Sequence, residues 1–223
     1  MKLQKILVAG SSSNAGKTAM VEILLRQLPG WGGLKVTRVE DRGPICPRGG
    51  QGCGVCDSLQ KEFEVITQAE RLFVEGTDTD RYKKAGAEMV AWVIAQPEAL
   101  SAAWRATEPY FSGVDGVVIE SSSIIAPEES DLSILIINPN GQKRWKSSLF
   151  KLLPKVDTVI FNLEKVVESQ LESVESIIAE CVQIRGRNDL LSFKDLNDSI
   201  NNISLGAKIS TFLAHKDSKK NYF

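Results

Sequence analysis

The sequence is short of several things, and each shortage narrows what the protein does. Among its 223 residues there is one histidine, His215, and it lies in the polar tail "AHKDSKKNYF". A frayed terminus is a poor place for a ligand, so no role is expected of it. No apolar run approaches the roughly 20 residues of a membrane span. A net charge of -1, from 27 basic and 28 acidic residues, leaves no excess for the basic face that broad nucleic-acid binding needs. The N-terminus leads straight into a strand-like run, so no signal peptide is expected. Cysteine is sparse at four residues. Without a secretory signal, clustered cysteines point to a reducing cytoplasm and to metal rather than disulfides. No internal repeat is found. What remains is ordinary globular composition, 43% hydrophobic and 25% charged.

The most informative stretch is "AGSSSNAGKTAM", residues 9–20, after the apolar run Lys5–Val8. Apolar residues then recur at Val21, Leu24, Leu25 and Leu28, a helical spacing stopped by Pro29-Gly30. The unit reads as strand, loop and helix. At a helix N-terminus, free N–H groups and the positive end of the dipole attract an anion. Small residues let the backbone curl around a phosphate. Lys17 would reach the outer phosphates and the Thr18 hydroxyl would ligate Mg²⁺. Ser12, Ser13, Asn14, Ala15, Gly16 and Ala19 complete the expected nucleotide loop. The pattern departs from the usual glycine, four residues, then Gly-Lys-Ser/Thr. Ser11 stands at the first position, and the glycine has moved to Gly10.

Strand candidates recur at Leu34–Val39, Phe63–Ile66, Met89–Ile94, Gly116–Ile119, Leu132–Ile137 and Thr158–Phe161. Helical segments fall at Thr18–Leu28, Asp80–Ala87, Pro97–Trp104, Lys146–Leu153 and Glu168–Cys181. This alternation predicts an α/β fold, a mostly parallel sheet with helices on both faces. Residues 1–187 are expected to form the nucleotide-binding domain, with a Cys/Gly-rich loop insertion at 41–57. Residues 188–223 are expected to form an irregular or amphipathic appendage and tail. Ligands in such sheets bind at the carboxyl ends of the strands. There "VVIE" ends on Glu120, an expected Mg²⁺ acid. Asp115 should lie at the far end of that strand. Glu40 and Asp41 end the second strand, and either could reach the same metal. Asn162, in "FNLEK", falls where nucleotide-binding proteins read the base. Lys165 stands where a guanine-reading motif would have aspartate, so the base stays open between GTP and ATP.

"CPRGGQGCGVC" places Cys46, Cys53 and Cys56 in one glycine-rich loop. Cys53 and Cys56 have knuckle spacing, and Cys46 could fold back through Gly49, Gly50 and Gly52. Three thiolates make a Zn²⁺ or Fe–S corner. A fourth ligand could come from Asp57, Cys181, a substrate or a partner. A redox pair, or a plain loop, would leave the site without metal.

"GSSSNAGKT" together with "GTDTDRYKKAGAEMV" resembles molybdopterin-guanine dinucleotide biosynthesis protein B over roughly residues 4–140. Asp78, Arg81 and Ala85-Gly86-Ala87 keep that family's spacings, and "VVIE" is similar to its acid-ended strand. The family's histidines after the second strand are replaced here by the cysteine loop. The resemblance implies a dimeric GTP-binding accessory protein of molybdenum-cofactor assembly. Its partners would be a cofactor-biosynthesis protein or the pterin cofactor. More distantly, the chain resembles the dethiobiotin synthetase and cobyrinate amidase group. Ser12 replaces the extra lysine of MinD-like ATPases. The expected activity is slow, Mg²⁺-dependent hydrolysis of GTP or ATP, with Asp78 and Arg81 in a loop facing the nucleotide or a partner's phosphate. Two alternatives are an ATP-dependent small-molecule ligase or kinase and a nucleotide-switched metallochaperone using the cysteine loop.

Overall fold

A computed structural model of the chain describes residues 3–39, 59, 61–121, 130–140, 145, 149–186, 190–201, 205–207 and 209–211. Glu40, Asp41, Cys46, Cys53, Cys56, Asp57 and His215 lie outside the described residues. The chain divides into two compact units, Met1–Lys5 with Leu24–Ile125, and Ile6–Ile23 with Ala126–Phe223.

The first unit carries β2 (Trp31–Arg38), β3 (Phe63–Ile66), β4 (Val90–Ala95) and β5 (Gly116–Ser121), in the order β3-β4-β2-β5. β2 pairs in parallel with β4 and β5, and β3 runs antiparallel to β4. Leu34, Val36, Val93, Ile94, Val118 and Ile119 are buried, as near-continuous apolar strands require. A short helix α2 (Ala69–Leu72) precedes α3 (Asp78–Lys84). Thr77 caps α3 by accepting from the Asp80 N–H, and Asp80 Oδ2 accepts from Gly76 N at 3.0 Å and Lys84 Nζ at 2.8 Å. α4 (Leu100–Thr107) follows a 3₁₀ turn at Pro97–Ala99. Lys5 Nζ donates to Glu108 at 2.9 Å and lies 4.5 Å from the Trp104 ring centre, so its buried stem and charged head are both matched.

The second unit orders its strands β1-β6-β7-β8, all parallel. They are β1 (Gln4–Gly10, belonging here from Ile6), β6 (Leu132–Ile137), β7 (Thr158–Asn162) and β8 (Leu190–Phe193). α1 (Lys17–Gln27) follows β1, α5 (Leu149–Leu152) precedes β7, and α6 (Leu171–Arg185) precedes β8. On α6, Val174, Ile177, Cys181 and Arg185 form one buried stripe. The helix stops at Gly186, whose φ of +70° suits a left-handed cap. Burial, then the charge of Glu180, push the Cys181 thiol up to about 11. A thiol held protonated in a core stripe is poorly suited to metal ligation. The seven strands expected from the sequence are all present, with ends shifted by a few residues. β8 was not expected: residues 190–193, read as part of an irregular appendage, pair in parallel with β7. The architecture is α/β with mostly parallel strands, and β1 passes through a loop of small residues directly into α1.

Arg185 closes the lower end of this unit. It is buried, and its guanidinium donates to Leu153 O at 2.5 Å, Val156 O at 2.8 Å and Asp157 O at 3.0 Å. The Asp157 carboxylate accepts from Ser133 N at 2.8 Å and Ser133 Oγ at 2.6 Å, which joins the starts of β6 and β7. Arg185→Ala removes three guanidinium–carbonyl hydrogen bonds, two of them buried. It is expected to cost about 2–4 kcal/mol of unfolding free energy. Urea unfolding checks this, and a change below about 0.5 kcal/mol would place Arg185 among ordinary surface residues.

Candidate functional site

Parallel strands bring their carboxyl ends to one edge of each unit, and the sites are built there. In the second unit the loop after β1 turns inward at once. Ser11 N donates to Ile136 O at 2.9 Å, and Ser11 Oγ accepts from Asn138 N at 3.1 Å. The serine that replaces the usual glycine is fully buried, and its hydroxyl satisfies the first amide beyond β6. Asn138 Nδ2 also donates to Asn14 O at 3.3 Å. Asn138 thus holds both ends of the loop's first half.

Lys17 is 4% exposed. Its Nζ donates back to Ser12 O at 3.1 Å and Ser13 O at 3.3 Å, so the loop wraps its own ammonium. The displaced glycine has its reason here. A Cβ on Gly10 would stand 2.8 Å from Lys17 Cγ and 2.9 Å from Cδ, inside any real contact distance. Glycine at position 10 is what lets the lysine stem lie against the loop's start. Gly16 has φ +106°, a conformation open to glycine, and its carbonyl accepts the Met20 N–H at 3.1 Å as α1 begins. Ser13 and Asn14 are exposed at the tip, while Thr18 and Ala19 are half-buried in the first turn.

Asn162 ends β7 and is 7% exposed. Its Nδ2 donates to Ala15 O at 3.1 Å, and its Oδ1 accepts from Glu164 N at 3.1 Å. The side chain is turned to the loop itself. All the loop residues expected from the sequence, together with Asn162, are therefore brought together in this unit.

The first unit assembles a second group. Lys35 and Glu120 are direct partners across β2 and β5, so both side chains leave the same face. Lys35 Nζ lies 3.0 Å from Glu120 Oε1 and also bonds Asp78 Oδ2. The Tyr82 hydroxyl donates to Glu120 Oε2. Both oxygens of Glu120, which is 3% exposed, thus accept from fixed donors. Tyr82 is fully buried. Burial, then the negative charge of Glu120, hold its phenol well above the usual range, so it stays a neutral donor. Tyr82 lies against Gly33, where a Cβ would come within 3.1 Å of its ring. Asp78, Arg81 and Glu120 were singled out from the sequence; the geometry joins Asp78 to Glu120 through Lys35, and places Arg81, half-buried, on the same short helix.

Lys35 and Asn138 were missed by sequence reasoning. The signal for Lys35 was a lysine inside the apolar strand "GGLKV". For Asn138 it was a polar residue directly after "ILII" at a carboxyl end. Among the described residues no group of three or more His, Cys, Asp or Glu side chains is placed to hold a metal, and no helix is long and apolar enough to cross a membrane.

No family model and no curated protein matches the chain. Solved structures do. Nickel-bound HypB from Helicobacter pylori matches with a TM-score of 0.48 at 14% identity, over 97% of this chain and 88% of its own. The hydrogenase maturation factor HypB from Archaeoglobus fulgidus matches with a TM-score of 0.49 at 14% identity, over 86% and 81%. A zinc-bound triple mutant of the YjiA GTPase matches with a TM-score of 0.46 at 12% identity, over 92% of this chain and 63% of that one.

Proposed function

We propose that this protein is a Mg²⁺-dependent nucleoside triphosphatase that binds GTP or ATP on the loop of residues 11–18 and hydrolyses it slowly. The observation that carries the reading is the loop wrapped around Lys17, with glycine at position 10, where a side chain would collide with it. An ammonium already dehydrated inside a ring of small residues is placed to exchange carbonyl partners for phosphate oxygens. Amides at the start of α1 add to the same anion site. Thr18 offers a hydroxyl to Mg²⁺ in its unit. Glu120 offers a carboxylate in its own, held by Lys35 and Tyr82 and suited to holding a hydrated cation through water. Catalysis rests on positioning and charge neutralisation.

The resemblance of "GSSSNAGKT" and "GTDTDRYKKAGAEMV" supports an accessory role, as a homodimer, in molybdenum-cofactor assembly. In that reading Asp78 and Arg81 face the nucleotide or a partner's phosphate, and Cys46, Cys53 and Cys56 hold Zn²⁺ or an Fe–S centre.

Lys17→Ala is expected to weaken triphosphate binding about 100-fold or more, the effect of losing about 2.7 kcal/mol of charge-assisted contacts. Calorimetric titration with MgGTP and MgATP measures it. Unchanged affinity in a folded variant would remove the loop from the site.

Glu120→Gln is expected to lower Mg²⁺-stimulated phosphate release about tenfold while metal-free nucleotide binding changes little. Equal losses with and without Mg²⁺ would speak against an ion-directed role.

Protein purified without oxygen is expected to carry zinc or iron, and Cys53→Ser to lose most of it. Metal-free protein whose three loop thiols alkylate at equal rates would overturn the metal assignment.

A further inference from the structure

Two parts of the chain meet on the Ala15–Gly16 peptide. A Cβ at Gly16 would stand 2.7 Å from Leu196 Cδ1 and 2.8 Å from Asn162 Nδ2, so both side chains press directly on its backbone. Asn162 Nδ2 donates to Ala15 O at 3.1 Å. Leu196, 5% exposed, lies beyond β8. It is brought there by local structure. Leu163 N donates to Phe193 O at 2.8 Å, continuing the β7–β8 pairing past β7. Asp195 then starts a turn, with Oδ1 accepting from Asn197 N at 2.8 Å and its carbonyl accepting from Asp198 N at 3.1 Å. The residue between, Leu196, is the one that points back to the loop's glycine.

We propose that Asn162 and Leu196 are positioning residues that clasp the Ala15–Gly16 peptide, and that the segment 190–201 is thereby part of the nucleotide site. This deepens the nucleotide reading above and rests on it. A phosphate loop works through backbone N–H groups, which need a fixed orientation to within about 0.5 Å. Gly16, free of a side chain and at positive φ, has more backbone freedom than its neighbours. An amide bond on one side and an apolar contact on the other remove that freedom before ligand arrives, which lowers the ordering cost of binding. Both ends of the Asn162 amide are engaged inside the chain, at Ala15 O and at Glu164 N. The residue therefore holds the loop and does not read the base. By linkage, bound nucleotide steadies residues 190–201 as much as they steady the loop.

The test uses full-length protein with Mg²⁺ and fluorescent GTP and ATP analogues. Wild type is compared with Asn162→Ala, Leu196→Ala and Leu196→Met. Both alanine variants are expected to bind the two nucleotides more weakly by one common factor, about tenfold, which corresponds to about 1.4 kcal/mol. Leu196→Met keeps the apolar contact and should bind nearly as wild type does. Amide exchange in residues 190–201 should slow when nucleotide is added to wild type and much less so in Leu196→Ala. A merely structural role would lower thermal stability but leave the folded protein's affinity and this exchange response unchanged. If Asn162→Ala alters the ratio of GTP to ATP affinity and Leu196→Ala alters nothing, Asn162 is a base reader and the clasp is wrong. If Asn162→Ala does not fold, the two Leu196 variants decide. Wild type that binds neither nucleotide overturns the functional reading and this one with it; wild-type affinity in both Leu196 variants overturns the clasp alone.

Discussion

The ammonium of Lys17 is almost wholly out of water, and the residues around it are arranged as that fact demands. A charge moved into a protein without partners is expensive, so it must be met by oxygen atoms. Two loop carbonyls, of Ser12 and Ser13, meet it. For them to do so the chain must double back within a few residues. That requires Gly10 where the lysine stem passes, Gly16 where the backbone turns positive, and small side chains between. The ties from Ser11 to β6, from Asn138 to Asn14 and from Asn162 to Ala15 then hold the turn to the strands' carboxyl ends. Each is a hydrogen bond of ordinary length. Together they make a loop that is ordered by its surroundings, and a helix N-terminus lies immediately after it.

The same logic of a matched charge organises the first unit. Glu120 would be costly to bury alone. Lys35 across the strand pair and Tyr82 from α3 each satisfy one of its oxygens, and Asp78 shares the lysine. Asp78 and Glu120 share the Lys35 ammonium, and burial and the neighbouring carboxylate keep the Tyr82 phenol neutral. The buried carboxylate accounts for the lysine inside an otherwise apolar strand.

Much of this was legible in the sequence because it depends on short-range patterns. Apolar runs such as "LSILII" identified the buried strands, and "AGKT" between a strand and a helix identified the loop. What could not be read was whatever depends on residues far apart in the chain. The pairing of Lys35 with Glu120 follows from the register of two strands separated by most of the first unit. The contact of Leu196 with Gly16 spans nearly the whole length. β8 escaped notice because "LLSF" is four residues long with only Phe193 buried, too short and too exposed to give a periodic signal. Asn162 was expected at the site from its place at the end of β7, but its direction, toward the loop's carbonyl, is a matter of side-chain geometry that spacing does not encode.

We propose above all that residues 11–18 hold a nucleoside triphosphate. A ligand that binds only the folded state raises its stability in proportion to the logarithm of its concentration over Kd, about 2.7 kcal/mol at one hundred times Kd. Thermal unfolding of the full chain with Mg²⁺ and increasing GTP or ATP reads this directly. The account predicts a melting temperature that climbs steadily with at least one of the two nucleotides and is insensitive to it in Lys17→Ala. A wild-type melting temperature that stays flat with both nucleotides, up to millimolar concentration, would contradict it.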